Sequence, residues 1–245
     1  MYKSIHINFR IISKYIKKNV PFKLIIIYLV TKIKNIIYKS WNKKYLKFLL
    51  KKIYNNKQIS ETWSTNNVPF WCYLFTKFFS FKTNYKILEI GSYEGASSIF
   101  FLNILKKADI YCVDTWSNKF RYGVTKKNIK YSKIESRFNY NVQQYKKRVH
   151  KFKTDSSSFF KKINKNLLFD LIYVDGSHKY EDVLNDARNG FDHLKNSGII
   201  IFDDFNKPEV QKAVLFFLNK NRKKIKVLMV YHQLIVKKFN KNCLL

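Results

Sequence analysis

The sequence predicts an α/β fold: a Rossmann-like sheet of about seven strands with an antiparallel last strand, preceded by a basic helical extension. Three observations support this prediction. Apolar runs of strand length alternate with helix-length segments, which is the order typical of βαβ units and a parallel sheet. Two such runs, at residues 171–174 and 199–202, each end in aspartate. Two further runs, at residues 225–231 and 234–236, lie close enough together to form a closing hairpin.

Composition divides the 245-residue chain into two regions. Residues 1–60 contain 15 Lys/Arg and no acidic residue, and lysine pairs alternate there with large apolar residues. Pro21 predicts a break between a short first helix and a longer second helix. Apolar residues recur at helical spacing in the second helix: Ile26, Ile27, Val30, Ile33, Ile37 and Tyr38. We therefore predict a basic amphipathic helical extension over residues 1–58 and one domain over residues 59–242.

The formal net charge of +32 leaves two interpretations open. It indicates either binding to nucleic acid or to an anionic membrane surface, or a coding bias that scatters lysines over the whole chain. The amphipathic extension likewise predicts either peripheral membrane contact through residues 1–58 or packing on the domain behind it. The sequence alone does not indicate an oligomeric state.

The cysteines and the apolar runs indicate in which cellular compartment the protein is expected. The three cysteines, Cys72, Cys112 and Cys243, are widely spaced, which favours a reducing compartment over a disulfide framework or a zinc site. The longest apolar run near the N-terminus, at residues 24–30, is too short to span a bilayer. We expect a cytoplasmic protein, with peripheral contact to a membrane surface as the alternative.

The first strand of the domain, at residues 85–90, leads directly into the loop GSYEG and then into an apolar helix. Backbone N–H groups and a helix N-terminus face a ligand in this arrangement, and Gly91 and Gly95 permit the tight turn and a close approach. The loop is not the GxGxxG pattern of a pyrophosphate cradle. Asp114 ends the second strand about 20 residues later, where an acid can accept both hydroxyls of a ribose.

Two later segments complete the order of elements. A third strand at residues 149–153 is followed by Asp155 and Ser156, and Asp155 is expected to cap the next helix. Between the strands at 171–174 and 199–202, the helix is expected to bury an apolar face and to end at the turn of residues 196–198. The expected apolar face consists of Val183, Leu184, Ala187, Phe191 and Leu194, with Glu181, Asp182, Asp186 and Asp192 largely off it.

Four side chains that can transfer protons or bind a metal ion follow the two central strands. Asp175 ends the first of them, Asp203 and Asp204 end the second, and His178 lies three residues after Asp175. The strands of a βαβ unit are parallel, so their carboxyl ends open on one edge of the sheet, where open α/β sheets bind ligands. The sequence therefore predicts that these side chains converge on one small volume.

These motifs resemble the class I S-adenosylmethionine-dependent methyltransferases, and most closely the group with a "Methyltransferase domain 24" core. The resemblance rests on LEIGSYEG, YCVDTW, FDLIYVDGSHKYEDVLND and LKNSGIIIFDDF and covers roughly residues 60–240. It implies that Asp114 binds the cofactor ribose and that Asp175 closes the site. It also implies contacts with the methionine part from Glu89, Gly91, Ser92 and Gly95, and with the adenine from Asp155 and Ser156. Bulky Tyr93 and Glu94 depart from the small residues that many of these enzymes carry.

The acids at the strand ends also resemble those of divalent-metal O-methyltransferases. The resemblance implies that Asp175, Asp203 and Asp204 hold Mg²⁺ or another divalent cation, and that His178 accepts the proton of the methyl acceptor. A hard cation would relieve the repulsion between packed carboxylates. The alternative is that Asp203 and Asp204 only cap the next helix and that Asp175 only shapes the cofactor site.

The resulting hypothesis is metal-assisted O-methylation of a small-molecule or sugar hydroxyl by an S-adenosylmethionine-dependent methyltransferase. One alternative, favoured by the charge, is an RNA methyltransferase, although the sequence has no NPPY-like motif and no catalytic cysteine motif of base methylation. A second alternative is a non-catalytic binding module, tethered to a membrane or polyanion by its basic N-terminus.

Overall fold

The structure, a computed structural model, describes residues 20–60, 63–117 and 131–239. Its strands are β1 (Lys86–Ile90), β2 (Asp109–Asp114), β3 (Val149–Lys153), β4 (Phe169–Val174), β5 (Leu194–Phe202), β6 (Ile225–Val230) and β7 (Leu234–Lys238). They form one seven-stranded sheet in the order β3-β2-β1-β4-β5-β7-β6. The strands from β3 to β5 pair in parallel, and β7 runs antiparallel to both of its neighbours. The predicted α/β sheet with an antiparallel last strand is confirmed.

Helices cover both faces of this sheet. They are α1 (Phe22–Trp41), α2 (Lys43–Tyr54), α3 (Val68–Phe78), α4 (Ala96–Ile104), α5 (Tyr131–Val142), α6 (Ser156–Lys162), α7 (Tyr180–Asp192) and α8 (Pro208–Lys220). Successive residues of a strand point to opposite faces, and accordingly Leu171 belongs to one apolar core and Ile172 to the other. Helices α1, α7 and α8 contribute to the core that contains Ile172, and α2 to α5 contribute to the core that contains Leu171.

The N-terminal helices pack on the domain, but only Ile27 and Tyr38 of the predicted apolar face take part. Helix α1 buries Leu24, Ile25 and Tyr28 in the core and contacts β6, whereas Ile26 and Val30 are exposed. Apolar residues occur around most of the circumference of α1, so periodicity alone does not select the face that packs. The predicted short first helix lies outside the described residues, and the boundary at residues 58/59 stays a prediction. None of the helices in the described ranges has the length and apolar character needed to cross a bilayer.

Helix α7 ends earlier than the sequence predicted. It ends at Asp192, and Leu194, which was expected on its apolar face, begins β5 and pairs with Phe169. The register between β4 and β5 then shifts, and Ser197 has a positive φ of 65°. The turn at residues 196–198 is therefore an irregularity within β5 rather than a helix cap, because pairing with β4 starts before the turn.

Asp186 is a second correction in α7. The helical pattern placed it among the acids off the apolar face, but its side chain is buried. It lies under the loop that follows β4, where a Cβ added at Gly176 would be 3.9 Å from an Asp186 carboxylate oxygen. The pattern misplaced it because a loop, as well as the sheet, covers this side of the helix.

Candidate active site

The carboxyl ends of three parallel strands place the candidate residues side by side. In the sheet, Ile90 of β1 pairs with Val174 of β4, and Val174 pairs with Phe202 of β5. The ladder continues one residue further: the Asp175 N–H donates to the Ile90 carbonyl over 2.8 Å, and the Asp203 N–H donates to the Val174 carbonyl over 2.9 Å. The backbone at Asp175 and Asp203 is therefore fixed by the sheet.

The glycine loop fits closely against the same edge. Gly91 has φ +90°, and a Cβ at this position would be 2.1 Å from the Asp175 carbonyl oxygen. Only glycine fits there, because a side chain would meet both a strained backbone conformation and the neighbouring chain. Ser92 is buried in the loop, and Gly95, with φ +80°, stands immediately before α4. The loop thus brings the N-terminus of α4 to the edge that holds Asp175.

Asp114 ties this loop to β2. Its carboxylate accepts hydrogen bonds from the Tyr93 N–H over 2.9 Å and from the Trp116 N–H over 2.7 Å. Each carboxylate oxygen can accept more than one hydrogen bond, so these contacts are compatible with the predicted ribose contact. The ribose contact itself stays a prediction.

Glu89 of β1 anchors the helix that follows the glycine loop. Its side chain is fully buried in β1, and its carboxylate accepts hydrogen bonds from the hydroxyls of Ser97 and Ser98 at the start of α4. Burial raises the pKa of Glu89, although the serine hydroxyls act in the opposite direction. The structure gives Glu89 a position that anchors α4, and a direct contact with the methionine part of a cofactor stays a prediction.

Asp155 caps α6, as expected. Its carboxylate accepts a hydrogen bond from the Ser158 N–H over 2.8 Å, and this contact lowers the pKa of Asp155. The neighbouring Ser156 hydrogen-bonds to Asp186, and burial raises the pKa of that carboxyl group to about 7. The predicted placement of Asp155 and Ser156 beside an adenine stays a prediction.

A hydrogen-bond network fixes the acids at the ends of β4 and β5. The Tyr173 hydroxyl donates to Asp203 and is also 3.2 Å from an Asp175 carboxylate oxygen. A phenol carries one proton and donates to one carboxylate at a time. Burial raises the pKa values of Asp175 and Asp203, and nearby carboxylates raise them further. The pair is therefore a position where a cation would relieve repulsion.

The network continues away from the cleft into the core. The Gln233 amide donates to the Tyr173 hydroxyl over 3.3 Å, and the Trp71 indole donates to the Gln233 carbonyl over 2.9 Å. Trp71 is fully buried and packs edge-on against Tyr173. Trp71 therefore holds Gln233 and Tyr173 in place from within the core and does not line a pocket for the methyl acceptor.

Asp204, His178 and Lys207 form a second cluster in front of the network. The Asp204 carboxylate is 2.8 Å from His178 Nε2 and 2.6 Å from Lys207 Nζ, and Lys207 Nζ is 3.0 Å from the same imidazole nitrogen. Burial acts to raise the pKa of Asp204, but the contacts with His178 and Lys207 outweigh it and lower the pKa. Asp204 is thus a carboxylate whose ionised form is favoured, and the Lys207 ammonium group and the His178 imidazole hold it in place.

The geometry allows Asp175, His178 and Asp204 to hold a metal ion together. One possible ligand atom of each lies within 4.8 Å of the others. Asp203, the third predicted ligand, stands outside this group, since its carboxylate is engaged by Tyr173 and lies 3.5 Å from the Asn67 amide. A small cleft lies beside the carboxyl ends of β4 and β5. Its lining residues are Val174, Asp175, Ser177, His178, Val183, Phe202, Asp203 and Val210.

Comparison with known proteins identifies the domain. A family model described as a methyltransferase domain matches residues 88–205, which contain the glycine loop and all the acids of the site. Residues 88–205, just under half of the chain, match that family, and the sheet has the fold of the class I methyltransferases. The family match over residues 88–205 and the fold together support an S-adenosylmethionine-dependent methyltransferase.

Solved methyltransferase structures share the fold at low sequence identity. A proposed O-methyltransferase from Klebsiella pneumoniae is 14% identical with a TM-score of 0.57, over 86% of this chain and 99% of that one. A proposed caffeoyl-CoA O-methyltransferase from Staphylococcus aureus is 13% identical with a TM-score of 0.56, over 85% of this chain and 100% of that one. The MycE methyltransferase of mycinamycin biosynthesis, solved with Mg, SAH and mycinamycin VI, is 18% identical with a TM-score of 0.52. That match covers 80% of this chain and 54% of MycE.

Among curated proteins, the chain is similar to uncharacterized protein R132 of Acanthamoeba polyphaga mimivirus. The two are 26% identical over 137 residues, which are 54% of this chain and 59% of the viral protein. The match therefore spans little more than half of that relative, and it assigns no substrate.

Sequence reasoning missed three polar residues of the methyltransferase site. Tyr173 reads as one more apolar position of a buried strand, Lys207 as one of 48 basic residues, and Gln233 as part of a hairpin turn. A signal was available for Lys207 alone, because it lies three residues after Asp204, a spacing at which side chains near a helix start can meet.

Proposed function

We propose that this methyltransferase transfers the methyl group of S-adenosylmethionine to a hydroxyl of a small molecule or sugar, with assistance from a divalent cation. The observation that carries the proposal is the convergence of Asp175, His178 and Asp204 beside the glycine loop. Both carboxylates stand at strand ends next to the loop that the resemblance assigns to the cofactor. An acceptor held in the cleft would therefore face the two carboxylates on one side and the cofactor loop on the other.

The donor set favours a hard cation held by Asp175 and Asp204. Mg²⁺ is usually bound by one or two carboxylates and completes its shell with water and substrate oxygens. It prefers oxygen to imidazole nitrogen, which leaves His178 available for another role. A bound cation would lower the pKa of the acceptor hydroxyl and orient it.

His178 is the group that we assign to proton transfer. Histidine is the side chain that most often serves as a general base near neutral pH. Asp204, 2.8 Å from its Nε2, orients the imidazole and stabilises the charge that it gains. Methyl transfer is an in-line displacement, so the remaining contribution of the chain is to position the two reactants.

Cofactor binding is the first test. Calorimetric titration with S-adenosylhomocysteine should show binding that Asp114→Asn weakens by roughly tenfold or more, since a charge-assisted hydrogen bond is worth about 1.5–3 kcal/mol. Asp109→Asn, at the other end of β2, is the matched control and should bind normally. An intact protein that does not bind S-adenosylhomocysteine would contradict the enzymatic proposal.

Cation dependence is tested separately. Transfer of a radioactive methyl group to a panel of hydroxylated acceptors should stop with EDTA, resume with Mg²⁺ and be lost in Asp204→Asn. Mn²⁺ binding, followed by electron paramagnetic resonance, should be lost in Asp175→Asn and kept in Asp170→Asn, at the opposite end of β4. Activity that is indifferent to chelation would refute the metal. Methylation of RNA in place of every hydroxylated small molecule would favour the nucleic-acid alternative.

A further inference from the structure

Helix α1 has two apolar faces, and within the described residues the domain covers only one of them. The inner face buries Leu24, Ile25 and Tyr28, and the Tyr28 ring stacks on Tyr231 at 5.9 Å. This packing accounts for the attachment of the helix to the domain. It leaves the opposite side of α1 facing outward.

The outward side carries a continuous apolar row at helical spacing. We call it the outward row, and it consists of Phe22, Ile26, Val30, Ile33 and Ile37. These side chains are between 38% and 74% exposed. Their spacings of four, four, three and four residues keep them on one side of a helix. Single exposed apolar residues are ordinary, but a row that runs along a whole helix marks an interaction surface.

The charged side chains of the helix that carries the outward row, and of the helix after it, are all of one sign. Helices α1 and α2 contain nine lysines and no acidic residue. Lys23 and Lys34 are exposed and lie next to the outward row on the helix surface. A partner for this surface has to accept apolar side chains and to carry negative charge around them.

That combination identifies the partner class. A second copy of the chain would bring the two lysine sets together, and their repulsion opposes such a dimer. Nucleic acid supplies the negative charge but no apolar layer, and four of the five outward-row side chains are aliphatic and cannot stack on bases as the Phe22 ring could. An anionic lipid surface supplies both, with acyl chains for the outward row and headgroups for the lysines.

We propose that α1 docks this methyltransferase on an anionic membrane surface, with the outward row immersed at the boundary of headgroups and acyl chains. The helix lies in the plane of the surface, because its inner face is held by the domain. The outward row includes none of the residues that form the candidate active site. Docking is therefore independent of the proposed function and can be measured without a substrate.

The test is sedimentation of the full chain with vesicles of phosphatidylcholine alone or with 30% phosphatidylserine, at low and at physiological salt. The variant Ile26→Ser/Val30→Ser/Ile33→Ser removes the centre of the outward row. The control variant Phe81→Ser/Leu168→Ser/Phe216→Ser removes three side chains of similar exposure elsewhere, 37–51% against 38–46%. Thermal unfolding and binding of S-adenosylhomocysteine establish that both variants fold as the unmodified chain does.

We expect the unmodified chain and the control variant to bind anionic vesicles with partition coefficients within about twofold of each other. The outward-row variant should lose roughly tenfold or more, because three apolar side chains no longer enter the lipid. Binding should weaken as salt rises. The proposal is overturned if the outward-row variant binds as well as the control, or if neutral vesicles bind the chain equally. It is also overturned if the unmodified chain does not bind vesicles and instead forms a dimer in sedimentation equilibrium, while the outward-row variant stays monomeric.

Discussion

Asp186 should make the stability of this protein fall as pH rises towards neutrality. The pKa of Asp186 rises from 3.8 to about 7: burial is the largest cause, the hydrogen bond with Ser156 opposes the increase, and nearby Asp182 and Asp155 add to it. The folded state therefore holds a proton that the unfolded chain has released. That proton contributes stability fully below pH 3.8, and the contribution is lost as pH rises through about 7. At about 1.36 kcal/mol per pKa unit, the full contribution is about 4 kcal/mol, of which about 2.5 kcal/mol disappears between pH 5 and pH 8.

Urea unfolding at several pH values between 5 and 8 measures this effect. The free energy of unfolding of Asp186→Asn should change less across this range than that of the unmodified protein, by about 2.5 kcal/mol. Asparagine resembles the protonated carboxyl group, keeps an acceptor for Ser156 and does not titrate. Asp192→Asn, an exposed position at the end of the same helix, is the control and should leave the pH dependence unchanged. Equal pH dependence in Asp186→Asn and the unmodified protein would refute the reasoning.

Three further predictions concern the site itself. Gly91→Ala should abolish binding of S-adenosylhomocysteine in calorimetry, because its Cβ would lie 2.1 Å from the Asp175 carbonyl oxygen, whereas Gly190→Ala, with 3.5 Å to its nearest neighbour, should bind normally. Lys207→Met should tighten Mn²⁺ binding severalfold, since it removes an ammonium group 2.6 Å from Asp204; Lys220→Met, at the far end of α8, should have no effect. Tyr173→Phe should lower the free energy of unfolding by about 1–3 kcal/mol without a cation, and by less when Mg²⁺ is present, because it removes a donor to Asp203. If Tyr173→Phe lowers the free energy of unfolding equally with and without Mg²⁺, Tyr173 does not contribute to the cation site.

The sequence predicted the edge of the sheet well because backbone rules determine it. Strands joined by a helical crossover are parallel, so residues that end such strands meet whatever their side chains are. Asp175 and Asp203 follow paired positions in neighbouring strands, as that rule requires. The family motifs added S-adenosylmethionine as the predicted ligand of this edge, but they did not predict which side chains reach the site from other strands and loops.

The parts that the sequence did not predict depend on side-chain direction. Tyr173 lies in a run of apolar residues, and its hydroxyl becomes functional only because Asp203 and Gln233 come within reach from other strands and loops. The choice between the two faces of α1 is a similar case. Leu24 and Ile26 are equally apolar, and the shape of the surface formed by β6 and its neighbours decides which of them is buried.

The acids, rather than the lysines, carry the functional information in this sequence. Coding bias can multiply lysines throughout a chain, and 48 basic residues against 16 acidic ones fit such a bias. The same bias makes a cluster of acids improbable, yet Asp175, Asp203 and Asp204 gather at one edge, where burial and mutual repulsion raise the pKa values of the first two. Such a cluster costs stability unless a cation neutralises it. Lys207 provides one cation at Asp204 and at His178 but makes no contact with Asp203 in the described structure. Asp175, which belongs to the group that could hold a metal ion, is the member of this buried pair where an added divalent cation would relieve the most repulsion. Cation binding, rather than net charge, is therefore the property to measure first.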